Sequence, residues 1–364
     1  MKLSKTFLIL VPFGVAYAQT RSIQVISRPG DHGPAVRAEI SDPQALAIDS
    51  HGTLYIAENK IFIRRIDPRT GIITTLQTKR GLEEITSLSV DRKGKLLATE
   101  YESDRVITID PANGSVTTIA GGGRPGFSGD GGPAKDAGLS RPESVITDIA
   151  DNIYFADFDN DRIRRVDAKT GIITTIAGSG KQDSSGDGGL AIDAGLQFPN
   201  SVAVDREGNV YISQDGDGPN SGRVRRVDAK SGIIRTVTGS GKAGLTGDGG
   251  PALAGGLNFP SDLLLDAMGN LYVVEETNDR VRHINAHTQV IRTVAGPTNG
   301  FGGDGGSAVL AKLDYPTSIA IDSNGNLYIA DQRNHRIRRV DARTGIIKTV
   351  AGNGLPKHIH SVTY

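Results

Sequence analysis

The chain has 364 residues, with 41 Lys and Arg against 41 Asp and Glu, and contains no Cys and no Trp. Zero net charge gives no overall basic field to draw it to nucleic acid or an anionic membrane. The absence of cysteine excludes disulfides and thiolate metal sites.

The first residues read as a targeting signal. Lys2 and Lys5 precede the apolar run "TFLILVPFGV", and "AYA" at Ala16 to Ala18 fits an A-x-A cleavage site. Residues 1–18 are therefore expected to be a signal peptide. The apolar run falls well short of the roughly 20 residues that cross a bilayer, and no later segment is long enough. The expectation is an exported chain, periplasmic or extracellular, with no membrane insertion.

The strand-like run "SIQVIS" follows at Ser22 to Ser27, and then a unit that repeats. One copy reads "PNSVAVDREGNVYISQDGDGPNSGRVRRVDAKSGIIRTVTG", Pro199 to Gly239. Another reads "PTSIAIDSNGNLYIADQRNHRIRRVDARTGIIKTVAG", Pro316 to Gly352. The first strand of each unit ends at Asp49, Asp91, Asp148, Asp205, Asp266 or Asp322, which makes six units. A period this long means a solenoid or a propeller. Each unit carries four short β-branched runs, a to d, with a turn glycine between a and b and another between c and d. Four antiparallel strands repeated radially make a propeller blade. The fold class is all-β: a six-bladed β-propeller of four-stranded antiparallel blades, one domain over residues 22–354, with a tail at 355–364 that has no blade pattern.

The copies differ. The second unit has Ile85 where others begin with proline, Asp151 replaces the a–b turn glycine of the third, and Gln289 replaces the c–d turn glycine of the fifth. These blades are expected to be distorted. Two segments compete for the outer position of the last blade, "SIQVIS" and "GIIKTVAG". The second follows a tight hairpin turn and is the preferred closing strand.

The unit "GNLYIADxxNxRIRRVD", intact at Gly325 to Asp341, resembles the NHL repeat. The linker "GFSGDGGPA" resembles those of teneurin-like NHL propellers and bacterial secreted NHL-repeat proteins. The resemblance covers about residues 22 to 352. It implies the propeller fold but not one function, because one scaffold hosts unrelated activities.

The linkers repeat by spacing. Asp31, Asp130, Asp187, Asp248 and Asp304 each lie twelve residues before Pro43, Pro142, Pro199, Pro260 or Pro316. Small residues after the glycines suggest one helical turn, with Pro133 and Pro251 at its first position and the Asp facing its positive end. The glycine pattern at Gly121, Gly123 and Gly126 opens no long helix, so it is no dinucleotide site. "RIRR" and "RVRR" recur on strand c, each followed by Asp. Arginine stems packed between blades, with heads paired to acids, explain them better than a nucleic-acid patch.

Candidate ligand residues fall on the linker side. Strand a is innermost, so Glu143, Asn200 and Asp262 ring the channel mouth and could converge as an all-oxygen divalent site. In residue type this is similar to the metal-dependent lactonases on six-bladed propellers. Lyases of this fold use a histidine-ligated zinc near the channel, and none of the seven His here falls on an inner strand. Two b–c loops, with Asp157, Asp159 and Asp161 and with Asp215 and Asp217, could hold calcium. No other cofactor is indicated. The preferred reading is a non-catalytic scaffold for a protein, peptide or glycan, with a lactonase- or lyase-like enzyme as the alternative.

Overall fold

The computed structural model describes residues 27–215, 222–241 and 244–355. The signal-like segment, residues 22–26 of the first strand-like run, Asp217 and the tail from residue 356 lie outside the described residues. Within them, each unit folds as a four-stranded antiparallel sheet with strands in the order a, b, c, d. The first blade is Pro43–Ile48, Leu54–Glu58, Phe62–Ile66 and Ile72–Thr75. The second is Ile85–Val90, Leu96–Glu100, Arg105–Ile109 and Val116–Ala120. The third is Pro142–Thr147, Ile153–Asp157, Arg162–Val166 and Ile173–Ala177. The fourth is Pro199–Val204, Val210–Asp215, Gly222–Val227 and Ile234–Thr238. The fifth is Pro260–Leu265, Leu271–Glu275, Arg280–Ile284 and Ile291–Ala295. The sixth is Pro316–Ile321, Leu327–Asp331, Arg336–Val340 and Ile347–Ala351.

The core lies between blades. Alternating side chains of one sheet meet those of the next. Ala47, Tyr55 and Ile63 of the first blade pack with Ile85, Leu96 and Ile107 of the second. Leu46, Leu54 and Ile66, from the other face of the first blade, pack with Ala320, Ala330 and Ile337 of the sixth. That last cluster closes the ring.

The outer strand of the sixth blade is Ile347–Ala351, paired with Arg336–Val340 through the hairpin, as the strong local turn suggests. The seam is covered by the first linker strap. Gly352 and Asn353 donate their N–H groups to the carbonyls of Ala35 and Ala38, both at 3.0 Å. Gly178 and Ser179 make the same two bonds to Ala191 and Ala194 inside the chain. The ends thus meet through contacts that the internal junctions also use.

Each full strap runs along strand d of the blade it introduces. Gly33–Pro34 pairs with Ile72 and Ile73, and Pro133, Leu190, Pro251 and Ser307 bridge to the same position of later blades. The first glycine of "GDGG" must be glycine. At Gly129 φ is +91°, and a Cβ there would lie 2.7 Å from the Ala137 backbone.

Two strap expectations change. The turn is a three-residue 3-10 helix, Ala134–Asp136 in the third strap, and Pro133 is the extended residue before it. The strap Asp does not serve that turn's positive end. It forms an ion pair with a fully buried arginine of strand c: Asp31 with Arg64, Asp130 with Arg164, Asp187 with Arg225, Asp248 with Arg282 and Asp304 with Arg338. The same arginine holds the carboxylate ending strand b in four of these blades: Glu58, Asp157, Glu275 and Asp331. A guanidinium with five fixed donors suits this multiple pairing. Phe127 and Phe301 of the straps lie over the neighbouring Arg162 and Arg336, at 3.7 and 3.8 Å from ring centre to guanidinium carbon. The arginine repeat is an internal brace.

The expected distortion of the third and fifth blades does not occur. Asp151 and Gln289 take φ of 63° and 55° and complete the same turns that glycine makes elsewhere. A left-handed residue other than glycine costs roughly 1–2 kcal/mol, so Gln289→Gly is expected to stabilise the fold by about 1 kcal/mol in urea denaturation. A destabilised variant would mean that the glutamine side-chain bond to the Ala286 carbonyl (2.8 Å) outweighs the strain.

Candidate functional site at the channel mouth

Strand a begins at the linker side of the channel with a register shift in every blade. Such a bulge re-aims the side chains beside it. The residue before each strand is left-handed although none is glycine: Asp42, Glu84, Arg141, Phe198, Phe259 and Tyr315, with φ between 39° and 57°. In three blades a carboxylate on the b–c loop of the preceding blade holds it. Asp104, Asp161 and Asp279 accept the N–H of Arg141, Phe198 and Tyr315 at 2.7, 3.1 and 2.8 Å. The same strained conformation at six equivalent positions, held this way in three of them, places two acids, an arginine and three aromatic rings around one rim.

Below the rim lies a ring of register locks. Ser87, Ser144, Ser201, Asp262 and Ser318 each accept a backbone N–H from strand a of the next blade: Val145, Val202, Leu263, Ile319 and Leu46. Asp262 is the fifth blade's member of this ring. Its Oδ1 accepts Leu263 N–H at 2.9 Å and the Ser201 hydroxyl at 3.2 Å; its Oδ2 accepts Ile319 N–H and the Ser318 hydroxyl, both at 2.9 Å. Burial pushes its carboxyl up to about 6 against these four bonds. With both oxygens committed, Asp262 is a structural group rather than a free ligand of the mouth.

Glu143 and Asn200 stand one residue earlier on their strands. Both line a central cavity of about 520 Å³ walled by strand a of all six blades, with Glu276 at its edge. Asn200 donates to Asp215 at 3.3 Å. The Glu143 carboxylate takes no hydrogen bond from the described residues and is surrounded by protein except where the channel reaches it. Burial, then repulsion from Glu276, pushes it up to about 7. Burial also pushes Asp215 up to about 6 and raises Glu276.

The loop carboxylates separate to different partners. Asp157 is buried on Arg164 and accepts Ser140 N–H at 2.8 Å. Asp161 holds Phe198, and Asp159 sits 3.6 Å from Arg141. Asp215 faces the channel through Asn200. Among the described residues no group of three or more His, Cys, Asp or Glu is placed to hold a metal ion. No histidine lines the cavity. Glu276, which no motif marked, joins the mouth because it opens the b–c loop of the fifth blade beside the channel.

Aromatic rings flank these acids. Tyr101, Phe158 and Phe198 form a chain with ring centres 6.4 and 5.3 Å apart, and Arg141 covers Tyr101. Phe259 is 37% exposed, so a large apolar ring stands open to a ligand. Tyr315 faces Glu276, and its hydrogen bond to that carboxylate raises its hydroxyl to about 12.

The raised Glu143 has a measurable consequence. Between its ordinary value near 4.5 and about 7 the folded chain holds a proton that the unfolded chain has released. Its contribution to stability therefore falls as pH rises through that window. Glu143→Gln is expected to match the parent near pH 4 and exceed it at pH 8 by on the order of 1–3 kcal/mol. Equal curves at both pH values in urea denaturation would remove this assignment.

Residues 24–123 and 297–361 match the sequence profile of the family described as the Teneurin NHL domain. NHL repeat-containing protein 2 of Gallus gallus is 28% identical over 295 residues, covering 73% of this chain and 40% of that protein. Teneurin-1 of Homo sapiens is 26% identical over 343 residues, covering 85% of this chain and 12% of that protein. The chain thus spans well under half of each of these relatives. Among solved structures, an auxiliary nutrient binding protein from Bacteroides ovatus superposes with a TM-score of 0.62 at 16% identity, covering 92% of this chain and 74% of that one. No helix among the described residues is long and apolar enough to cross a membrane.

Proposed function

Because the chain is an NHL-repeat six-bladed β-propeller resembling the teneurin NHL domain, we propose that it is an exported, non-catalytic scaffold whose linker-side face binds a protein, peptide or glycan. The observation that carries this reading is the rim: two acids, an arginine and three aromatic rings held in one strained backbone conformation at the mouth of a cavity of about 520 Å³. The strand frame of the blades repeats, whereas no one residue type runs through the rim. Partly exposed aromatic rings beside hydrogen-bonding acids are common in ligand pockets. The Bacteroides ovatus nutrient binding protein shares this fold. The basic, apolar and A-x-A signals at residues 1–18 support export.

The test uses peptide and glycan arrays probed with the full chain and three variants. Phe198→Ala and Tyr315→Ala are expected to lose the bound features. Met268→Ser, on an exposed a–b turn of the opposite face, is expected to keep them. Loss with Met268→Ser and retention in both rim variants would overturn the reading, as would no binding at all.

A further inference from the structure

We propose that the channel mouth takes an organic cation, an ammonium or guanidinium head on an apolar stem, held by Glu143, Asp215 and Glu276. This rests on the mouth being the binding site and names the chemistry it selects. Glu143 of the third blade and Glu276 of the fifth line the cavity, and Asp215 of the fourth is bonded to Asn200, which lines it as well. Glu143 and Glu276 feel each other's charge, and Glu276 feels Asp215.

The charges around them are already balanced. Lys60, whose charge acts on Glu143, forms an ion pair with Glu84. Arg141 lies between Glu102 at 3.8 Å and Asp159 at 3.6 Å. Arg333 lies over the Tyr315 ring at 4.0 Å, with Asp314 also 4.0 Å away. Neither Asp215 nor Glu276 forms an ion pair among the described residues, and Glu143 has no hydrogen-bond partner for its carboxylate. Glu143 and Glu276 in one cavity, with Asp215 beside it, raise one another's cost of ionisation, and Lys60 and Arg333 offset that cost only in part. A bound cation removes the remainder.

A metal ion fits poorly. Calcium needs six to eight oxygens within about 2.6 Å, while no three acids of the described residues share such a point. The charge is instead spread across three blades, over a cavity wider than one coordination sphere. The rings complete the fit. Tyr101, within electrostatic reach of Glu143, leads into Phe158 and Phe198, and Tyr315 touches Glu276. Aromatic faces attract cations and pack on alkyl stems. Acids below and rings above match a head and a stem.

The experiment is calorimetric titration of the full chain with spermidine, L-arginine amide and a lysine-containing peptide. Citrulline amide and the acetyl-lysine peptide serve as neutral controls. Binding is expected for charged ligands only, and spermidine against the lysine peptide separates a free amine from a side chain. It should weaken on the order of tenfold or more in Glu143→Gln and Glu276→Gln, and weaken near pH 5 relative to pH 8, where Glu143, Asp215 and Glu276 lose charge while Lys60, Arg141 and Arg333 keep theirs. Cooperative melts without ligand, at or above the parent's midpoint, establish that both variants fold. Binding that survives both substitutions, equal binding of the neutral controls, or a response to calcium alone overturns the inference. If no cation binds while Phe198→Ala still abolishes array binding, the mouth remains the site and only its cation chemistry falls.

Discussion

Arg338→Ala is expected to cost about 3–5 kcal/mol, because it leaves a buried carboxylate without its cation. Arg338 is fully buried and bonds Asp331 at 3.1 Å, Asp304 at 2.8 Å and the carbonyls of Lys312 and Gly302, both at 3.1 Å. Asp331 is completely inaccessible and has no water to replace the guanidinium. The fourth blade provides the control. There Gln214 stands where the other blades have the acid, and among the described residues Arg225 forms its ion pair with Asp187 alone, whose side chain is 45% exposed. Arg225→Ala leaves a neutral amide and a hydratable carboxylate, so its cost should be roughly 1–3 kcal/mol. Urea midpoints at constant slope decide the comparison. Equal losses would show that packing of the arginine stem, rather than the stranded charge, carries the brace.

The second large effect belongs to the ring of register locks. Asp262→Ala removes the acceptor of Ile319 N–H, and one orphaned buried donor costs roughly 1–3 kcal/mol. Asp262→Ser should recover most of that loss, because serine does the same work at Ser87, Ser144, Ser201 and Ser318. The first blade has Ala45 in this column and offers the second blade no side chain there. Ala45→Ser is therefore expected to stabilise the chain by about 1 kcal/mol, the net worth of one hydrogen bond. A serine at position 262 no better than alanine would show that Asp262 acts by charge and would reopen it as a ligand group.

Blade number, strand order, turn positions and the closing hairpin are legible in the sequence because each depends on local repetition. The strap Asp was visible as a spacing, but its partner was not. Asp130 and Arg164 lie 34 residues apart and on different elements, so no window holding one turn connects them. Asp262 shows the opposite error. It stands in the same column as four serines, yet a carboxylate among hydroxyls draws attention as a ligand when it is a longer side chain doing the serine's task. The rim left no chemical trace. Asp42, Glu84, Arg141, Phe198, Phe259 and Tyr315 share a backbone conformation but no single residue type. Glu276 carries no signal in the sequence because the acids of "EETNDR" do not alternate, while "DFDNDR" offers three that the fold sends to separate partners.

The separation of a repeated frame from an irregular, ligand-bearing mouth can be measured by hydrogen–deuterium exchange of the full chain, free and with a ligand captured on the arrays. Protection should rise at the starts of strand a and in the b–c loops, around Tyr101, Glu143, Phe198, Phe259 and Tyr315. The a–b and c–d turns, around Asp49, Asp167 and Asp266, should not change. Protection confined to those turns, with an unchanged rim, would contradict the assignment of the channel mouth as the site.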